Sequence, residues 1–82
     1  MVPDLEVDAR GLLCPLPILR LARALRRREA GTVAVLLATD PAAVKDVETF
    51  CREGRHELLS TEREGDLLRF RVRKFGELKT EN

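Results

Sequence analysis

The 82-residue chain predicts an α/β (α+β) two-layer sandwich with the element order β-α-β-α-β-β. Three observations carry that expectation. Two stretches have apolar residues at helical spacing, each opens next to a proline, and they alternate with short apolar strands. The last two strand patterns are joined by the turn sequence Glu64-Gly65-Asp66, which reads as a hairpin. Finally, a chain this short buries only roughly 60–65% of its unfolded surface, so one two-layer core is the practical limit.

Each element has its own local reason. Leu5 and Val7 alternate with Glu6 and Asp8, a half-buried strand that Arg10-Gly11 breaks. Cys14-Pro15-Leu16-Pro17 opens the next element. Proline suits the N1 position because that N–H has no helical partner, and N3 loses little for the same reason. Ile18, Leu21, Ala22 and Leu25 follow at helical spacing, with Arg20, Arg23, Arg26 and Arg27 on the other side. The first helix is expected from about Pro15 to Arg28, with Gly31 beyond its end. Thr32–Ala38 is β-branched and apolar on both parities, as in a central strand.

Asp40 is expected to N-cap the second helix, with Pro41 at N1. Ala43, Val44, Val47, Phe50 and Cys51 fall within one arc of that helix, which ends near Glu53-Gly54. His56–Glu62 reads as the third strand. In the fourth, Leu68, Phe70 and Val72 alternate with Arg69, Arg71 and Arg73, so one face is buried. Two helices can cover only one face of so small a sheet, which leaves the three arginines on the open face. Phe75–Asn82 has no periodicity. The expected division is one domain over 1–75 and a frayed tail over 76–82.

Composition narrows the function. The chain is 44% hydrophobic and 35% charged, which is globular rather than disordered. A net charge of +1 favours no polyanion partner, and the absence of Trp and Tyr removes a base-stacking platform. Nucleic acid is therefore not the expected partner. Two cysteines make no secreted disulfide framework. Met1 is followed by Asp4 and Glu6 rather than by a basic and then an apolar leader. The longest apolar run, Gly11–Leu19, contains two prolines and falls short of the ~20 residues of a membrane helix. A soluble cytoplasmic protein with reduced thiols and no membrane partner is expected.

Cys14 carries the chemistry. It stands where a loop feeds a helix, at or next to the N-cap. The helix dipole there favours an anion, so a thiolate of depressed pKa is expected, with the Leu16 N–H as its donor. Pro15 and Pro17 stiffen the first turn. The one histidine is far away in sequence, so the Cys–base pair of acyl transfer has no visible base. A lone thiolate suits sulfur–sulfur exchange, which needs no proton relay, and no CxxC supplies a resolving thiol for a thioredoxin-like activity. The competing reading of Cys14 is a small buried hydrophobe.

Residues Asp8–Pro17 (DARGLLCPLP) resemble the signature of the TusA/SirA-like sulfur-carrier family, marked by Cys-Pro-x-Pro. The likeness continues in register through Asp40-Pro41-Ala42, Asp46, Phe50-Cys51 and His56-Glu57-Leu58 to Phe70–Lys74, about residues 4–74. The resemblance implies a fold like the C-terminal domain of translation initiation factor three: a four-stranded mixed sheet of order 1-2-4-3 with both helices on one face. It implies a sulfurtransferase-type carrier that holds sulfane sulfur as a persulfide on Cys14 and needs no cofactor. The donor would be a cysteine desulfurase or a rhodanese. The acceptor would be another sulfur-transfer protein, towards tRNA thiolation, cofactor assembly or sulfur oxidation. Leu16 stands where some members carry a carboxylate, which leaves the partner open and the nucleophile untouched.

The remaining candidates divide between structure and chemistry. Asp8 and Gly11 are expected to shape the loop that delivers Cys14, Gly11 through a backbone conformation other residues resist. Arg10, Arg20 and Arg23 belong to a run from Arg10 to Arg28 that holds six arginines and no acid. It is either a solvated helix face or a basic collar that steers acidic partners and stabilises the sulfur anion. Cys51 reads as core, Asp40 as a cap, Asp46 as a solvated or locally bonded helix residue, and His56 as a strand-end residue rather than a metal ligand. The alternative functions are a non-catalytic regulatory or RNA-binding module, or a redox switch in which Cys14 and Cys51 form a disulfide.

Overall fold

The computed structural model describes residues 4–74, so the tail expected over 76–82 lies outside the described residues. Its elements are β1 (Leu5–Ala9), α1 (Leu16–Arg26), β2 (Val33–Ala38), α2 (Ala43–Gly54), β3 (Glu57–Glu64) and β4 (Leu67–Arg73). The sheet order is β1-β2-β4-β3, with β1 parallel to β2 and the other two pairs antiparallel. The β-α-β-α-β-β order, the mixed sheet and the helix-covered face all match the expected fold.

The core forms where the two inward periodicities meet. Val7 and Ala9 of β1, Ala34, Leu36 and Ala38 of β2, and Leu68, Phe70 and Val72 of β4 are buried on the helix side. Pro17, Leu21 and Leu25 of α1 and Ala43, Val47 and Cys51 of α2 close over them. Burying side chains such as Leu21, Leu25 and Leu36 contributes about 1.5–3 kcal/mol each. As expected, the arginines of β4 point to the open face. There Arg69 pairs with Glu62, Arg73 with Glu57, and Arg71 with Asp4 at 2.8 Å.

Several boundaries move for local reasons. Helix α1 begins at Leu16 with Pro15 as its N-cap, which places Pro17 at N2. It ends at Arg26, two residues short of the expected Arg28. Lys74 Nζ donates to the carbonyls of Leu25, Arg26 and Arg28 at 2.6–3.3 Å and takes up the orphan acceptors of that end. Helix α2 begins at Ala43, and its N-cap is Ala42 instead of Asp40. Asp40 still supplies a capping oxygen, since its Oδ1 accepts from the Ala42 N–H at 3.1 Å. Helix α2 ends at Gly54 as expected, and Arg55 after it is left-handed at φ 61°. Strand β3 starts at Glu57 instead of His56 and runs to Glu64, which pairs with Leu67 across a two-residue Gly65-Asp66 turn; a bulge between Leu58 and Ser60 leaves Leu59 unpaired and exposed.

Candidate functional site

The site follows from the parallel pairing of β1 and β2. Ala9 lies opposite Ala38, so the chain leaves both strands at the same edge of the sheet. The two loops that follow must run side by side, and open α/β sheets place their working residues at this end. Gly11, in the left-handed region at φ +81°, donates its N–H to Thr39 Oγ1 at 2.9 Å. Cys14 donates its N–H to Asp40 Oδ2 at 2.8 Å. The second loop thus holds the first by two hydrogen bonds.

Asp8 lies at the start of the same loop and binds Arg10. Its carboxylate accepts from the Arg10 backbone N–H at 3.1 Å and from two guanidinium nitrogens at 2.9 and 3.0 Å. The Arg10 guanidinium holds the Asp8 carboxyl down at about 2. Cys14 is an exposed free thiol ahead of the α1 cap, and the Cys14–Pro15 peptide bond is cis.

The electrostatics at Cys14 reverse the expectation of a depressed pKa. Its thiol donates to Asp46 Oδ2, and that hydrogen bond, with partial desolvation and the charges of Asp46 and Asp40, pushes the thiol pKa upward. The Leu16 N–H expected to hold the sulfur is donated to the Leu13 carbonyl at 2.8 Å. The basic collar is also absent at the sulfur. Arg10 is bound by Asp8, and Arg20 donates to the Asp8 carbonyl at 3.4 Å. Arg23 lines a shallow groove on α1 with Arg20, Arg26, Leu12, Leu16, Leu19 and Ala22. Leu16 and Leu19 of that groove and the preceding Leu13 are 47–69% exposed, an apolar ridge next to the Cys14 loop.

No residue near Cys14 in sequence offers a base, and Asp46 reaches the thiol only through the fold. The usable signal was topological. A parallel β1–β2 pair places the start of the second helix beside the Cys14 loop, and Asp46 lies in its first turn. Cys51 is buried in the core as expected, and burial pushes its thiol up to about 11. His56 precedes β3, stacks on Phe50 with ring centroids 5.0 Å apart, and takes no part in the Cys14 corner. Among the described residues no cluster of three or more His, Cys, Asp or Glu side chains is arranged to hold a metal ion.

Comparison with known proteins matches residues 5–74 to the family described as Sulfurtransferase TusA. The chain is 42% identical over 71 residues to the sulfur carrier protein TusA of Allochromatium vinosum, covering 87% of this chain and 93% of that one. It is 39% identical over 74 residues to YrkI of Bacillus subtilis, covering 90% of this chain and 99% of YrkI. It is also 39% identical over 82 residues to YrkF of the same organism, of whose length it spans 44%. The crystal structure of a SirA-like protein from Desulfitobacterium hafniense superposes with a TM-score of 0.75 over 87% of this chain and 97% of that one, and at 21% identity it shows a shared fold. The chain belongs to the sulfurtransferase TusA family.

Proposed function

We propose that the protein is a sulfur carrier that accepts sulfane sulfur as a persulfide on Cys14 and surrenders it to an acceptor protein. The observation that carries this reading is Cys14 itself. It is an exposed thiol in a Cys-Pro-x-Pro segment, held by backbone and side-chain hydrogen bonds at the open edge of a parallel strand pair. Persulfide exchange needs a reachable sulfur, and this corner provides one. The protein turns over only within a relay, as carrier and transferase together. Its donor is a cysteine desulfurase or a rhodanese. Its acceptor is a further sulfur-transfer protein serving tRNA thiolation, cofactor assembly or sulfur oxidation.

The apolar ridge of Leu13, Leu16 and Leu19, flanked by Arg20 and Arg23, is the surface a partner would cover to reach the sulfur. The RNA-binding alternative draws no support from the open sheet face, where Arg69, Arg71 and Arg73 are each paired to a carboxylate. The redox-switch alternative draws none from the cysteines, both of them free, one on the surface and one in the core. No helix among the described residues is long and apolar enough to cross a membrane, and we place the carrier in the cytoplasm, as one domain.

Mass spectrometry tests the reading. After incubation with a cysteine desulfurase and cysteine, the wild type gains one sulfur, about 32 Da, on Cys14. Cys14→Ser gains none. Sulfur found on Cys51 instead overturns the assignment.

A further inference from the structure

The carrier reading uses Cys14 as a nucleophile and leaves its proton without a destination. Asp46 stands in the first turn of α2, half-buried, with its own N–H bonded to the Ala42 carbonyl at 3.3 Å. A helix therefore positions the carboxylate that accepts the Cys14 thiol proton. Asp40, which accepts the Cys14 N–H, adds a second carboxylate from the β2–α2 turn. Among the described residues no cation pairs with either acid. From the other side, the first turn of α1 brings no charged side chain, Arg20 donates to the Asp8 carbonyl, and Arg10 is bound to Asp8. The charged groups facing the sulfur are the two carboxylates.

We propose that Asp46 is a catalytic residue of sulfur transfer, taking the proton from Cys14 Sγ as sulfur is loaded and returning it as sulfur is discharged. The proposal rests on the carrier reading. In loading, Cys14 Sγ attacks the outer sulfur of a donor persulfide. The donor S–S bond breaks, its electron pair stays on the donor's own sulfur, and the Cys14 proton passes through Asp46 to that sulfur. One sulfur atom moves between two thiols with no net oxidation. In discharge, the sulfur of an acceptor thiol attacks the outer sulfur of the Cys14 persulfide. Cys14 Sγ leaves with the electron pair, and the acceptor's proton reaches it through Asp46. Between these events the carboxylates oppose ionisation of the idle thiol. Because the thiolate is the reactive form, the empty carrier stays quiet towards stray disulfides and oxidants.

The test is Asp46→Asn in the full chain, with two readouts. The first is alkylation of Cys14 by iodoacetamide as a function of pH. The second is discharge to glutathione of protein loaded with inorganic polysulfide, followed by mass spectrometry. The variant's alkylation midpoint moves about one pH unit lower, because a neighbouring negative charge is gone. Its discharge slows roughly tenfold or more, because the proton path is gone. Loosened packing would expose the sulfur and raise both rates, so opposite changes separate proton handling from damage. Asp46→Glu restores part of the discharge rate. An unmoved alkylation profile, or discharge at the wild-type rate, overturns the role of Asp46. A wild type that takes up no sulfur on Cys14 overturns the carrier reading instead.

Discussion

Cys51 and Cys14 both resist ionisation, and their surroundings explain it differently. Cys51 faces inward from α2, is 4% exposed, and has its thiol raised to about 11 by burial alone. Cys14 lies in the open, and its thiol is raised chiefly by the hydrogen bond and charge of Asp46. Burial closes off both charge and access. A carboxylate suppresses the charge and leaves the sulfur reachable, and a proton transfer or a partner's cation can lift that restraint. The two shifts share a direction and differ in cause.

Three measurements press on this contrast. The largest effect is in access. In the native state iodoacetamide modifies Cys14, while Cys51 reacts only through opening of the core and is roughly a thousandfold or more slower. Peptide mapping of a time course checks this, and comparable rates at the two sites would break the comparison.

Stability separates the same regions next. Phe70→Ala, beneath the helices, lowers unfolding free energy by about 3–5 kcal/mol. Cys14→Ser at the exposed corner changes it by no more than about 0.5 kcal/mol. Urea denaturation of both variants reads the difference, and a Cys14→Ser cost near that of Phe70→Ala would mean the corner is structural.

The smallest effect belongs to His56. Burial, and then the charge of Lys74, lower its pKa below the ordinary 6.5. The unfolded chain therefore takes up the proton more readily, and stability is full above about pH 6.5 and declines as pH falls through the folded value. Thermal unfolding of wild type against His56→Gln isolates the contribution, which shrinks in the variant. A pH dependence identical in both would remove His56 from the account.

Much of the architecture was legible because it rests on local periodicity. Leu21 and Leu25, Val47 and Cys51, and Leu68, Phe70 and Val72 all face the core as their spacing requires. The boundaries were less legible where a distant group intervened. Lys74 reaches back to end α1 at Arg26, and Asp40 divides its carboxylate between Ala42 and Cys14 instead of capping the helix as a simple N-cap. Cys14 was visible as the candidate for the reactive position, and the fold leaves its thiol exposed. Its proton acceptor was not visible, because nothing local links positions 14 and 46.

The chain's own pattern determined the six elements, the inward faces and the place of one cysteine ahead of a helix, since spacing of apolar residues, prolines and glycines suffices for those. The folded molecule decided which charge that cysteine meets. Side-by-side exit of β1 and β2 brings Asp40 and Asp46 across 26 and 32 positions of sequence onto one cysteine, Asp40 at its backbone N–H and Asp46 at its sulfur. Electrostatic interaction falls with distance in space, so a helix dipole inferred along the chain yielded to two carboxylates delivered from elsewhere.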